Sequence, residues 1–81
     1  MSLRITIGSR RFFADGTKLR WGPVGSYDWF EIGRYGVPAK ITALRQQKDE
    51  LAISTEDGSE WLLHDPTGDP GSFRVELIHI A

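Results

Sequence analysis

The 81 residues are enough for one domain with a single hydrophobic core, and the apolar (40%) and charged (26%) fractions are those of a globular protein, not of a disordered chain. Cysteine is absent, which excludes disulfide bonds and thiolate metal sites and favours a reducing compartment, so we expect a cytoplasmic protein. The formal net charge of −1 is unlike that of a dedicated nucleic-acid-binding domain, which is usually strongly basic.

The first segment, residues 1–8, predicts a β-strand because apolar and polar side chains alternate along it. Leu3, Ile5 and Ile7 share one face of this strand, and Gly8-Ser9 is expected to end it. The segment has no continuous apolar stretch, so we expect neither a secretion signal nor a membrane span there.

A β-hairpin is predicted at Asp15-Gly16, which separates two segments rich in aromatic and β-branched residues. Interpreted as a two-residue loop, this dipeptide places Phe12 opposite Leu19. One face of the hairpin then carries mostly core side chains: Arg10, Phe12, Ala14, Thr17, Leu19 and Trp21. The other face is basic with one aromatic ring: Arg11, Phe13, Lys18 and Arg20.

Residues 22–38 combine glycines and prolines with four aromatic side chains, Tyr27, Trp29, Phe30 and Tyr35. The pattern is compatible with a strand over residues 27–32 or with one or two helical turns that begin at Ser26 and end at Gly33, and we favour the strand. We expect about half of the four aromatics to lie in the core, because a small core needs large side chains, and Trp29 or Tyr35 to be exposed.

Residues 39–50 contain good helix formers, yet apolar and polar positions alternate around Ile41 and again from Leu51. A helix would have to stop at Leu51 without a glycine or proline to end it. We therefore favour two strands joined at residues 47–50, with a helix as the open alternative.

The second Asp-Gly pair, Asp57-Gly58, predicts another hairpin, and a two-residue loop would place Ile53 opposite Leu62. Both faces of this strand pair are partly apolar, which is typical of strands buried on two sides. Residues 64–71 are a loop by composition, and the alternation from Phe73 to Ile80 predicts a last strand. The whole chain, residues 1–81, is thus predicted to be one all-β domain.

Residues 35–44, in which an aromatic precedes an Ala-basic-Ile strand, and residues 50–58, which end in an acidic-Gly turn, resemble the Tudor-like barrels. Five strands predicted from residue 27 onward match the strand number of an SH3-like barrel. The resemblance implies a small SH3-like barrel or curled antiparallel sheet of six to seven strands with an extra N-terminal hairpin. Tudor-like domains bind methylated lysine or arginine in an aromatic cage, which the resemblance would place near Tyr27, Trp29, Tyr35 or Trp61.

No catalytic pattern is present. Serine does not occur in a Gly-x-Ser-x-Gly motif, and the only conceivable metal or acid–base set has no ligand spacing: His64, His79, Asp65, Asp69 and Glu76. We therefore expect no enzyme, no cofactor, no metal and no small-molecule substrate.

Two binding hypotheses follow from the aromatic and basic residues. The first is a protein-interaction module, or a subunit of a homo-oligomer, that uses Tyr27, Trp29, Phe30 and Tyr35. The alternative is nucleic-acid binding through the basic hairpin face, with Arg11, Phe13, Lys18 and Arg20 as contacts. A membrane partner is not expected.

Overall fold

The computed structural model describes residues 3–32 and 39–80 and shows an all-β fold, as predicted. Its described residues hold eight strands, more than the expected six to seven: β1 (Leu3–Ile7), β2 (Arg10–Asp15), β3 (Lys18–Pro23), β4 (Phe30–Glu31), β5 (Ile41–Gln47), β6 (Glu50–Thr55), β7 (Glu60–His64) and β8 (Arg74–His79). They form two antiparallel sheets of four strands each, in the orders β1-β2-β3-β4 and β5-β6-β7-β8. Each sheet is a meander in which strands adjacent in sequence pair with one another.

The hairpin of β2 and β3 turns at Gly16-Thr17, one residue later than predicted. Gly16 has a φ of +60° and occupies the first central position, which is where a type II′ turn requires glycine. Phe12 therefore pairs with Trp21 instead of Leu19. Because the pairing moves by an even number of residues, every side chain stays on its predicted face. The basic face and the core face of the hairpin are both as expected.

The hairpin of β6 and β7 has a three-residue loop, and here the predicted register is wrong. The amide of Gly58 donates to the Thr55 carbonyl at 3.0 Å, and Gly58 itself has a φ of +85°. A turn followed by a left-handed glycine is the usual three-residue hairpin connection. Ile53 consequently pairs with Trp61, not with Leu62. This one-residue change places Trp61 on the core side of the sheet, where it packs against the hydrophobic cluster.

The segment that begins at residue 39, whose helix propensity conflicts with its alternating pattern, contains the strands β5 and β6. This confirms the favoured prediction of two strands over the helix. They are joined by a tight turn in which Lys48 adopts a φ of +54°. Leu51, Ala52 and Ile53 are all buried, so β6 is covered on both faces as expected. Burial against neighbouring strands outweighs the helix propensity of this segment, which is worth only tenths of a kcal/mol per residue.

The aromatic segment does not form the predicted strand over residues 27–32. Only Phe30 and Glu31 pair, opposite Trp21 and Arg20 of β3, and residues 26–29 have no regular secondary structure. The helical alternative is also absent there. The strand is short because the chain before Phe30 crosses over Gly22, as described below.

Both sheets contribute to one hydrophobic core. Its buried members are Ile7, Phe12, Ala14, Leu19, Ile32, Ile41, Leu51, Ile53, Leu63 and Phe73. The amide of Ile41 donates to the Gly16 carbonyl at 2.9 Å, which links the start of β5 to the first sheet. The shared core and this bond hold the outer face of the first sheet in a fixed position relative to the second sheet.

The predicted loop between β7 and β8 is confirmed, and its residues 70–72 form a single 3₁₀ turn. Arg10 fastens this loop to the first sheet, because its Nη1 donates to the Pro66 carbonyl at 2.8 Å and also to the Gly68 carbonyl. Its guanidinium carbon lies 5.2 Å from the Trp21 ring centroid and 5.4 Å from that of Phe73. Arg10 therefore has a structural role on the core side.

Candidate binding surface

The outer face of the first sheet brings the aromatic segment and the basic hairpin face together. The ring of Trp29 packs against that of Phe13, with centroids 5.4 Å apart and planes inclined by 47°. Trp29 precedes β4 and lies on the same side of the sheet as Glu31, whose cross-strand partner is Arg20. Trp29 thus joins the basic hairpin face, and we call the combined surface the aromatic-basic face and define it as Arg4, Arg11, Phe13, Lys18, Arg20 and Trp29. Phe30 instead stacks on Trp21, on the other side of the sheet.

Gly22 makes this arrangement possible. A Cβ atom at this position would lie 2.3 Å from the carbonyl oxygen of Asp28 and 3.4 Å from Cε3 of Trp29. No real Cβ atom approaches a backbone oxygen so closely, so only glycine lets the chain cross β3 here. Gly22 thereby allows the Trp29 ring to lie over the sheet and reach Phe13.

Arg11 holds the aromatic segment from the side of β2. Its guanidinium carbon lies 4.7 Å from the Trp29 ring centroid, and its Nη2 donates to the Ser26 carbonyl. A guanidinium over an indole face is attracted by the ring's negative potential. Arg11 was predicted only as a nucleic-acid contact, but in the structure it also fixes the loop that carries the exposed aromatics.

The remaining cations of the face differ in their partners. Lys18 and Arg20 both contact the carboxylate of Glu31, at 3.6 and 3.5 Å. Arg4 lies 5.5 Å from the Phe13 ring centroid and is exposed. Arg4 was not among the predicted contact residues, although its alternation with Leu3 and Ile5 already placed it on the solvent side of the first strand.

The predicted aromatic residues are more exposed than expected. Tyr27 is 99% exposed, Phe30 47% and Trp29 36%, so the expectation that half of the aromatic set is core is wrong for its described members. Phe30 stacks on Trp21 with centroids 5.0 Å apart, but its other side faces solvent. Tyr35 lies outside the described residues. Val24, not predicted, is a further exposed apolar side chain in the same stretch.

A second group of exposed apolar side chains lies along β8, an edge strand of the second sheet, and just after it: Leu77, Ile78 and Ile80. The predicted strand from Phe73 to Ile80 explains their position. The sequence did not single them out as a surface, because alternation alone predicts that one face of this strand is buried.

His64 is held between two carboxylates of neighbouring strands. Its Nδ1 contacts Glu50 and its Nε2 lies 3.0 Å from Oε2 of Glu76. The carboxylates face opposite edges of the imidazole ring, so they do not converge with a ring nitrogen on one point, as metal ligands must. Among residues 3–32 and 39–80, no group of three or more metal-ligating side chains suitable for an ion is found.

The carboxylate of Asp57 is bound within the β6–β7 loop. It accepts hydrogen bonds from Thr55 Oγ1 at 2.5 Å and from the Ser59 amide at 3.0 Å. The hydroxyl of Thr55, followed by the Ser59 amide, lowers the pKa of Asp57 below its ordinary value, because both donors stabilise the charged form. Asp57 therefore stabilises the conformation of the β6–β7 loop.

No protein-family model, curated protein or solved structure gives a significant match to this chain. In the described part of the chain, no helix is long and apolar enough to cross a membrane.

Proposed function

We propose that the protein is a non-catalytic binding module that recognises a protein partner, or a second copy of itself, through the aromatic segment. The observation that carries this proposal is the exposure of Val24, Tyr27, Trp29 and Phe30 within one short stretch. Aromatic side chains dominate the binding energy of protein interfaces, and a cluster of exposed ones is uncommon on a small domain. Tyr35 completes the proposed contact set.

The segment is also held in place, which favours binding. Trp29 rests on Phe13 and under Arg11, and the Asp28 amide donates to Ser26 Oγ at 3.1 Å. An ordered loop loses less conformational freedom when a partner binds than a mobile loop would. The exposed rings are therefore presented on a rigid support.

Tyr27→Ala is the sharpest test, because a side chain that is 99% exposed contributes little to folding. Self-association is measured by sedimentation velocity, and partners are identified by cross-linking in extract with mass spectrometry. We expect Tyr27→Ala and Trp29→Ala to weaken the same association at least about tenfold, as truncated interface hot spots do. Ile80→Ala, which removes an exposed apolar side chain just after β8, is the matched control. Loss of association in the control alone, or in none of the variants, would contradict the proposal.

Nucleic-acid binding is the second candidate. The observation that favours it is the Phe13–Trp29 ring pair with Arg4 and Arg11 against its two rings, since single-stranded nucleic acids bind by stacking and phosphate contacts. A fluorescent oligothymidylate titrated at about 50 and about 500 mM salt tests it. Tight binding that weakens steeply with salt, and that a triple Arg11, Lys18 and Arg20 to Glu variant abolishes, would support this candidate over protein recognition.

The relationship to Tudor-like domains is a further proposal, in which β4, the edge strand that pairs with β3 in the first sheet, would also close an SH3-like barrel with β5 to β8. It is supported by the antiparallel meander of β5 to β8 and by the Glu56 amide, which donates to the Lys40 carbonyl at 2.9 Å. Nuclear Overhauser contacts between β4 and β8 amides would support barrel closure, whereas an open β8 edge would count against it. Chemical shift changes at Trp29 or Trp61 on addition of trimethyllysine would support methyl recognition.

A further inference from the structure

We propose that the segment of the partner that contacts the aromatic-basic face is acidic, and that its carboxylates pair with Arg4 and Arg11 beside the Phe13–Trp29 rings. This inference rests on the proposed function, because it names the chemistry of the partner for the same surface. It goes further by assigning two arginines as the residues that select the partner's charge.

The balance of charge on this face supports an acidic partner. Its four cations, Arg4, Arg11, Lys18 and Arg20, are accompanied by Glu31, which contacts Lys18 and Arg20 at 3.6 and 3.5 Å. Among residues 3–32 and 39–80, no carboxylate lies within salt-bridge distance of Arg4 or Arg11. Two guanidiniums without an acidic partner therefore remain on a face of a protein whose formal net charge is −1. Complementary charge steers a partner to such a face and excludes partners of the same charge.

Arg11 is oriented before any partner arrives. Its guanidinium is held against the Trp29 ring at 4.7 Å and by the Ser26 carbonyl. Arg4 is similarly placed 5.5 Å from the Phe13 ring centroid. A guanidinium in a fixed orientation loses little side-chain entropy on pairing with a carboxylate. In Arg11 the Nε atom is buried and Nη2 donates to Ser26, which leaves Nη1 for a partner's carboxylate, whereas Arg4 is exposed.

The surrounding side chains favour a polypeptide over a nucleic acid. Trp29 adds exposed apolar area to this face without a further cation, and the exposed Val24 and Tyr27 belong to the same loop. A nucleic-acid site needs several phosphate contacts, whereas Glu31 already occupies Lys18 and Arg20. A peptide with both carboxylates and apolar side chains matches two arginines next to exposed rings.

The experiment selects peptides from a random library displayed on phage, with the whole folded protein as bait. Four baits are compared in parallel: the natural chain, Arg4→Glu, Trp29→Ala and Arg74→Glu. Arg4 is exposed, and its substitution removes the contact with the Phe13 ring. Arg74→Glu makes the same charge change on exposed β8 of the other sheet and is the matched control. Circular dichroism verifies that each bait is folded.

We expect selection on the natural chain and on Arg74→Glu to enrich peptides that carry Asp or Glu beside apolar residues. The best of them should bind Arg4→Glu about threefold to tenfold more weakly in a polarisation titration, because an exposed attraction becomes a repulsion. They should not bind Trp29→Ala. If the enriched peptides lack acidic residues and bind Arg4→Glu as tightly as they bind the natural chain, the inference is overturned and the proposed function stands. Peptides that bind Trp29→Ala as tightly as they bind the natural chain would overturn both the inference and the proposed function. The absence of enrichment on every bait, together with binding of oligothymidylate, would also overturn both.

Discussion

Trp29 and Phe13 form a ring pair, with centroids 5.4 Å apart, that joins the irregular segment before β4 to the middle of β2. Sixteen positions separate the two residues in the sequence. The contact turns an aromatic loop and a basic hairpin into one surface, and it makes the position of the loop dependent on the sheet.

A double-mutant cycle measures this contact. Phe13→Ala, Trp29→Ala and the double variant are unfolded in urea, and we expect a coupling free energy of about 0.5 to 1.5 kcal/mol, as for other tilted aromatic pairs. The pair Phe13 and Tyr27 provides the control, because the 99% exposed Tyr27 side chain should not couple to Phe13. Additive effects in the Phe13–Trp29 cycle would show that the rings do not support one another in solution.

Gly22→Ala is expected to displace the aromatic segment. The new Cβ would lie 2.3 Å from the Asp28 carbonyl oxygen, so residues 28–29 must move away from β3. We expect a loss of about 1 to 3 kcal/mol in the free energy of unfolding, as for other overpacked sites. The fluorescence of Trp29 should also change. This signal is measured in a variant in which Trp21 and Trp61 are replaced by phenylalanine, so that Trp29 is the one remaining tryptophan.

Gly71→Ala is the control for this substitution, because the nearest atom to its added Cβ, Asp69 Oδ1, lies 3.6 Å away. We expect its stability to stay within about 0.5 kcal/mol of the natural chain. Equal losses in the two variants would indicate a general cost of alanine and not a collision at Gly22.

Arg10→Met should loosen the loop between β7 and β8. The substitution keeps an apolar stem against Trp21 and Phe73 but removes the charged donor to the Pro66 carbonyl. We expect a loss of about 2 to 3 kcal/mol, because hydrogen bonds from charged groups in part-buried sites are among the stronger ones. Amide hydrogen exchange should accelerate in residues 65–72. Arg45→Met, which breaks the exposed pair with Glu60, should cost less than about 1 kcal/mol.

Asp57 makes the stability of the protein depend on pH at the acidic end. The Thr55 hydroxyl and the Ser59 amide lower its pKa in the folded state below the ordinary value of 3.8. The folded state therefore binds fewer protons than the unfolded chain, so the stabilisation is complete above pH 3.8 and is lost as the pH falls through the folded pKa.

Urea unfolding at a series of acidic pH values tests this prediction with Asp57→Asn, which keeps an oxygen acceptor but does not titrate. We expect the pH dependence of the unfolding free energy below pH 3.8 to be smaller in this variant. Thr55→Val, which removes the main donor, should reduce the same dependence. An unchanged acid dependence in both variants would contradict the role assigned to Asp57.

The all-β class and most strand positions could be predicted from alternation and from the two Asp-Gly pairs. The registers of the two hairpins could not be predicted, because the Asp-Gly dipeptide occupies different positions in the two turns. At Gly16 it forms part of a two-residue loop, and at Gly58 it ends a three-residue loop. In the second turn the longer loop places Trp61 against the core, and this core contains residues of both sheets.

The sequence by itself determined the content of the candidate site, since Tyr27, Trp29, Phe30 and the basic hairpin residues were all evident from their types and spacing. Only the tertiary structure decided that Trp29 joins the basic hairpin residues on one surface, because this contact depends on the missing side chain of Gly22 and on the ring of Phe13. Local patterns report which side chains alternate along one strand. The contacts between side chains far apart in the chain depend on the space left when the sheets pack, which no short segment encodes.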